Sequence, residues 1–284
     1  MAIDSSINLR NDVVFKFVFG YEKNERLLIA LLNAILALEG EEKIVKLTFL
    51  NTFNLQEYLK DKLSTLDVKA EDNTGRRLNI EMQVEPDRAY VNRVIYYHDK
   101  LYTGQLKEAE PFEELHKAIS ISILNFVLFK EERDLHNIYR YLNIKSKKEL
   151  TDVKELHFIE LPKFKKDKPK KLQSRFERWL HVLKFGEIYV EDIDNLPEEL
   201  KEEEEIVMAL QEMVRASNDE MVRQILEMRS KARHEEASRL FQAEQRGIEK
   251  RNIEIAKNLL KLNFPVEAIS QATGLTASEI EKLK

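Results

Sequence analysis

The chain of 284 residues contains no cysteine. That excludes disulfides and thiolate-bound metal, and it fits a reducing compartment. Glycine and proline are scarce, at 7 and 6 residues, so turns are few and long helices are expected. No apolar run approaches the ~20 residues that span a bilayer. The opening segment "MAIDSSINLR" lacks the apolar core of a secretory signal. Excess positive charge is missing too. The formal net charge is −5, so bulk charge does not announce a nucleic-acid partner and any basic footprint must be local. The expectation is a soluble, cytoplasmic protein without a membrane partner.

What is present suffices for a sizeable core, with 43% hydrophobic residues. The length suits one large domain or two smaller ones. "NDVVFKFVFG" and "LLIALLNAIL" read as helices, the first capped by Asn11 and ended by Gly20. In the second, Leu27, Leu28, Leu31, Ile35 and Leu36 recur at helical spacing. "IVKLTFLNTFNL", "KAISISILNFVLF", "LHNIYRYLNI" and "VKELHFIEL" read as strands, the second of them central. After Pro86 a helix is expected, with Tyr90, Val94, Tyr97 and Leu101 as its stripe, and Tyr96, Tyr97 and Tyr102 as core aromatics with a polar tip rather than base-stacking platforms. "SRFERWLHVLKFG" is a helix capped by Ser174 and ended by Gly186. From about Ile206 to Leu262 the pattern is helical and highly charged. The tail holds two short helices, the last opened by a Thr276/Glu279 capping box. The expected organisation is an α/β region over 1–190, a charged helical region over 191–262, and a short helix-turn-helix-like tail over 263–284.

The stretch "LDVKAEDNTGRRLNIEMQ", Leu66 to Gln83, alternates apolar and polar residues on both sides of Asp72-Asn73-Thr74-Gly75, the signature of a hairpin. Leu66, Val68 and Ala70 share one face with Leu78, Ile80 and Met82. Asp67 and Lys69 share the other with Asn79, Glu81 and Gln83. The turn brings Asp67 opposite Glu81 or Gln83, with cross-strand Cβ atoms ~5 Å apart. Two carboxylates at that separation repel unless a cation or a proton lies between them. Mg²⁺ suits such a place, because it takes hard oxygen ligands and binds through one or two carboxylates plus water and phosphate. The Met82 carbonyl is a third candidate oxygen. The alternative is an ordinary solvated hairpin face, with Lys69 and Arg77 neutralising the acids. Spacing alone leaves both readings standing.

A strand Asp, a turn and then Ile80-Glu81-Met82-Gln83 resemble the PD-(D/E)XK nuclease motif. With "NDVVFKFVFG", "LLNAIL", "NRVIYYHDKLYTGQL", "ISISILNF", "LHFIELPKF" and "ISQATGLTASEIEKLK" in the same order, the chain resembles the Rpn family of recombination-promoting nucleases. The resemblance implies an α/β fold of the restriction-endonuclease-like PD-(D/E)XK type, a mixed sheet flanked by helices and followed by an all-α C-terminal region. It implies a metal-dependent DNA endonuclease associated with recombination or mobile elements. Asp67 and Glu81 would ligate Mg²⁺, with Mn²⁺ or Ca²⁺ as substitutes, and Gln83 would stand at the motif's lysine position. An amide supplies no ammonium charge and takes no proton, although it can orient water. Lys69, on the face of Asp67, is the candidate for the missing charge. Asp12 matches an acidic position in the family's N-terminal motif and is a further candidate metal ligand, or else a first-turn acid favoured by the helix dipole. The alternative function is a DNA-associated binding or scaffold protein with a degenerate nuclease site.

Arg88 and Arg93, at the start of the helix after the motif strand, are candidate phosphate contacts or surface salt bridges. The run "KFKKDKPKK" supplies Lys163, Lys165 and Lys166 as a local footprint for DNA, or else as a solvated loop. The six histidines match no metal spacing and read as structural. The charged helices have an apolar stripe too sparse for a coiled coil of their own. They either cover the first domain or pair with a second copy as a homodimer.

Overall fold

The computed structural model describes residues 7–50 and 67–283. Leu66 and the end of "IVKLTFLNTFNL" lie outside the described residues. A mixed six-stranded sheet has the order β1-β2-β3-β4-β6-β5. Its strands are β1 (Leu47–Phe49), β2 (Val68–Asp72), β3 (Arg77–Gln83), β4 (Ala118–Leu124), β5 (His136–Leu142) and β6 (Glu149–Glu160). β3, β4 and β6 run parallel, while β1–β2, β2–β3 and β5–β6 pair antiparallel. β4 is buried at every position, as its unbroken apolar run requires of a central parallel strand.

One sheet face is apolar, with Val68, Ala70, Leu78, Ile80, Met82, Ile119, Ile121, Ile123 and Ile159 all buried. Helix α1 (Asp12–Phe19) lies against β3, and α2 (Glu25–Leu36) packs with α4 (Arg175–Phe185). Between β3 and β4 the chain crosses over through α3 (Tyr90–Thr103), which covers the opposite face. The predicted caps form: the Asn11 side chain accepts from Val13 N and Val14 N, and the Ser174 hydroxyl accepts from Glu177 N.

The face that α3 buries differs from the expected stripe. Tyr90, Val94 and His98 are buried at i, i+4 and i+8, while Tyr97 is 42% exposed and Tyr96 is exposed beside it. His98 takes the third buried place because its Nδ1 meets the Ser120 hydroxyl of β4 at 2.8 Å. Tyr97, one residue earlier, is turned by about 100° of helical rotation off that line.

The first compact unit runs through Ile225, past the boundary at 190 read from the sequence. A short helix, α5 (Glu198–Lys201), leads into α6 (Glu204–Asn218), which buries Ile206, Ala209, Leu210 and Met213 and packs on α1, α2 and α4. The Asp219 side chain then caps α7 (Glu220–Lys261) by accepting from Met221 N and Val222 N. The second unit is Leu226–Lys284. In it Ala256 of α7, Ile269 of α8 (Val266–Thr273) and Ile280 of α9 (Ala277–Glu281) form a small core. The Thr276/Glu279 capping box is present.

The β2–β3 turn fixes the hairpin register. Asp72 accepts at one carboxylate oxygen from Thr74 N, the Thr74 hydroxyl and Arg76 N, and its other oxygen is held by Arg76 Nε. Gly75 sits at φ +85°, where a Cβ would be strained and would lie 2.6 Å from the His116 ring. Gly75→Ala therefore lowers stability by about 1–2 kcal/mol in urea unfolding. An unchanged midpoint would show that the turn tolerates a side chain.

A pH dependence follows from two histidines. His98 is held down to about 4 by burial and then by the positive charge of Lys154. His136 is held to about 4 by burial and by His157. Unfolded histidine binds a proton near 6.5, so the unfolded state carries more protons between pH 6.5 and 4 and stability falls as pH drops through that window. Urea unfolding at pH 7 and pH 5 should differ by on the order of 1–2 kcal/mol per histidine. His98→Gln should remove its own share, on the order of 1–2 kcal/mol, from the measured difference.

Candidate active site

Asp67 stands one residue ahead of β2. The register that pairs Val68 with Ile80 sets it opposite Glu81. Along this face buried and half-buried positions alternate, with Lys69, Glu71, Arg77, Asn79, Glu81 and Gln83 on the polar side. Asp67 itself is only 7% exposed and forms an ion pair with Lys69 at 3.2 Å. The pairing is along one strand rather than across two. Arg77 pairs with Glu71 at 2.8 Å.

Glu81 is the most perturbed acid here. Burial raises its carboxyl above the usual range, the Tyr90 hydroxyl bond lowers it, and the Asp67 charge raises it again; the net is upward. Tyr90 donates to Glu81 Oε1 at 2.6 Å from a ring that is completely buried. Burial and Glu81 keep the Tyr90 hydroxyl protonated, so it stays a donor. Its third neighbour is Ser122, the β4 residue in register with Glu81.

Gln83 is tied at both ends of its amide. Its Nε2 donates to the Glu85 carbonyl at 2.9 Å, and its Oε1 accepts from Arg93 at 3.0 Å. Arg93 also holds Asp87 at 3.2 Å and lies over the Tyr90 ring at 5.2 Å. Gln83 thus fixes a guanidinium near Glu81. Arg88 is exposed ahead of α3.

A second cation was not singled out from the sequence. Lys16, on α1, is 4% exposed. Burial lowers its ammonium to about 8, with the Asp67 charge opposing that shift and Lys69 adding to it. The signal was present: one lysine stands inside the apolar octet "DVVFKFVF", every residue of which after Asp12 is buried. Helical spacing places Tyr90 in an apolar stripe, and its bond to Glu81 arises only from the packing of α3 on the sheet.

The other candidates separate. Met82 packs its side chain into the apolar layer, leaving only its carbonyl for a ligand. Asp12 accepts from Val13 N at 3.0 Å. Among the described residues no three His, Cys, Asp or Glu side chains gather into a metal-binding cluster, so Asp12 does not join the pair in one. Two facing carboxylates are nonetheless the donor set that Mg²⁺ takes, with water and phosphate completing its shell. Lys163 is a structural clasp. Its ammonium donates to the carbonyls of Phe129, Glu132 and Asp134 and pairs with Glu160, so its three donors are spent. Lys165 donates to the Pro162 carbonyl at 2.9 Å, and Lys166 pairs with Glu177 at 2.5 Å. No helix among the described residues is long and apolar enough to cross a membrane.

A mixed six-stranded sheet flanked by helices and followed by a helical region is consistent with the PD-(D/E)XK nuclease fold. The chain belongs to the family described as PD-(D/E)XK nuclease family transposase, which matches residues 9–243. No curated protein and no solved structure matches it.

A buried acid pair of like charge costs folding free energy when no cation lies between its members. Glu81→Gln keeps an acceptor for Tyr90 and removes one charge. In EDTA at pH 7 it should therefore raise stability by about 1–2 kcal/mol in urea unfolding. Equal or lower stability would show that the pair is not under electrostatic strain.

Proposed function

We propose that this protein is a divalent-metal-dependent DNA endonuclease that hydrolyses phosphodiester bonds, in association with recombination or mobile elements. The observation that carries the reading is the facing of Asp67 and Glu81 on the polar face of the β2–β3 hairpin, inside the sheet, with Glu81 pushed upward by burial. These two residues would hold the cation, Mg²⁺ by the hardness of the donor set, with the Met82 carbonyl as a further oxygen. When bound, such an ion supplies Lewis acidity at the phosphate and an activated water for in-line attack.

The protein's own groups have distinct parts in this proposal. Tyr90 holds Glu81 in one rotamer by donating to Oε1. Gln83 orients Arg93, whose fork-shaped guanidinium suits a phosphate oxygen next to the reacting one. Lys69 and the buried Lys16 provide the positive charge that the motif's lysine would otherwise bring. Arg88, Lys165 and Lys166 contribute to holding the DNA backbone away from the reacting bond, and their contacts weaken with salt.

The occupied amide of Gln83 favours a second reading, a DNA-binding or scaffold protein that kept the fold without efficient cleavage. Plasmid nicking separates the two. With Mg²⁺ the parent protein should nick, EDTA should stop it, and Asp67→Asn or Glu81→Gln should lower the rate by at least ~100-fold. Equal nicking by all three proteins would overturn the endonuclease reading. DNA retention without nicking by any of them would establish the second.

A further inference from the structure

Beyond the acid pair, the polar face of β2 and β3 continues as a cleft of ≈ 280 Å³ against the second half of α3. Lys69 and Arg77 line it from the hairpin, Tyr97, Lys100 and Leu101 from the helix, and Leu50 from the segment after β1. Among the described residues lining it, none is acidic. The Arg77 guanidinium shares Glu71 at one end, while its Nε is buried without a hydrogen-bond partner among the described residues. Tyr97 presents an exposed ring, edge-on to Tyr96 at 5.3 Å, and the Lys100 ammonium stands over Tyr96 at 4.6 Å. Lys69 belongs both to this cleft and to Asp67, so the cleft opens directly beside the acid pair.

Three cations around one aromatic and two leucines match a single chemistry, a phosphate joined to a planar apolar ring. The volume lies just below the ~300–1,000 Å³ usual for ligand pockets, room for one nucleotide but not for a base pair. We propose that the cleft seats one unpaired nucleotide of the DNA strand being cut, next to the scissile phosphate. Its base would lie on Tyr97 and Leu101, and its phosphate on Lys69, Arg77 and Lys100. The preferred substrate is then single-stranded DNA, or duplex DNA already unpaired at the cut. A fully paired duplex hides its bases and must first be unstacked, which weakens its binding. This inference rests on the nuclease reading for the identity of the strand, and on the cleft alone for its occupant.

Binding in EDTA tests it without cleavage. The probes are a labelled 12-nucleotide oligo-dT, the matching duplex and free dTMP, titrated against the full Asp67→Asn chain by fluorescence anisotropy. The oligo-dT should bind at least ~10-fold tighter than the duplex. Lys100→Glu and Tyr97→Ala, each added to that background, should weaken oligo-dT roughly 10-fold or more and the duplex less than ~3-fold. Tyr97→Phe, which keeps the ring, should bind as the parent does. Both positions are exposed, so the variants should melt with the parent. Parental oligo-dT affinity in Lys100→Glu and Tyr97→Ala, or equal losses for strand and duplex, would overturn the proposal. So would dTMP binding as tightly as oligo-dT, which would make the cleft a site for free nucleotide. If plasmid nicking fails while these losses appear, the nuclease reading falls and the cleft assignment stands.

Discussion

Every residue on the polar face of the hairpin owes its place to the pairing of β2 with β3. Side chains alternate along a strand, so a slip of one residue would turn Asp67 and Glu81 into the apolar layer and bring Val68 and Ile80 out. Two things prevent the slip. Val68, Ala70, Leu78, Ile80 and Met82 are all buried, and exposing them would forfeit about 1.5–3 kcal/mol for each large side chain. The turn is locked as well, by the Asp72 carboxylate on Thr74 and Arg76 and by the left-handed glycine at 75. Asp72 is acidic and conspicuous, yet its oxygens are consumed by the turn. The polar face is left to the acids that the turn positions.

Charge on that face is balanced by residues from three separate elements. Asp67 has Lys69 beside it on its own strand and Lys16 approaching from α1. Glu81 has Tyr90 and, further out, Arg93 from α3. In a motif ending in lysine, one side chain would bring both charge and proximity. Gln83 carries no charge and holds Arg93, while the ammonium groups near Asp67 are those of Lys69 and Lys16. An amide can do this because it both donates and accepts, so it bridges a backbone carbonyl and a guanidinium at once. A lysine would repel Arg93.

Period-two patterning made the hairpin, its register and its polar face readable from residues alone, because side-chain direction in a strand is local geometry. The helix caps at Asn11, Ser174 and Thr276 were readable for the same reason. What resisted reading was decided at a distance. Whether Tyr97 or His98 faces the sheet depends on Ser120, 22 residues away from His98. Lys163 looks like part of a basic footprint until Glu160 and three carbonyls of the 129–134 loop surround it. The charge of α6 leaves open whether it covers the first domain or pairs with a second copy, and its packing on α1, α2 and α4 puts its apolar side in the core. Lys16 could have been found, since a lone lysine in an apolar octet must be either a snorkelling surface residue or a buried charge with a partner.

The position of α3 connects these observations. Its first turns seal the sheet, with Tyr90 and Val94 packed on Leu124 and Phe158 over the parallel strands. Its later turns diverge from the apolar cluster and present Tyr96, Tyr97 and Lys100 instead. The sealed end supplies the low-dielectric surroundings that raise Glu81 and strengthen its bond to Tyr90. The open end leaves β2 and β3 accessible where Lys69 and Arg77 lie. A single helix therefore gives the acid pair a dry wall behind it and an open, positively charged approach in front of it. Both depend on the parallel β3–α3–β4 crossover, which requires a helix to lie over the sheet.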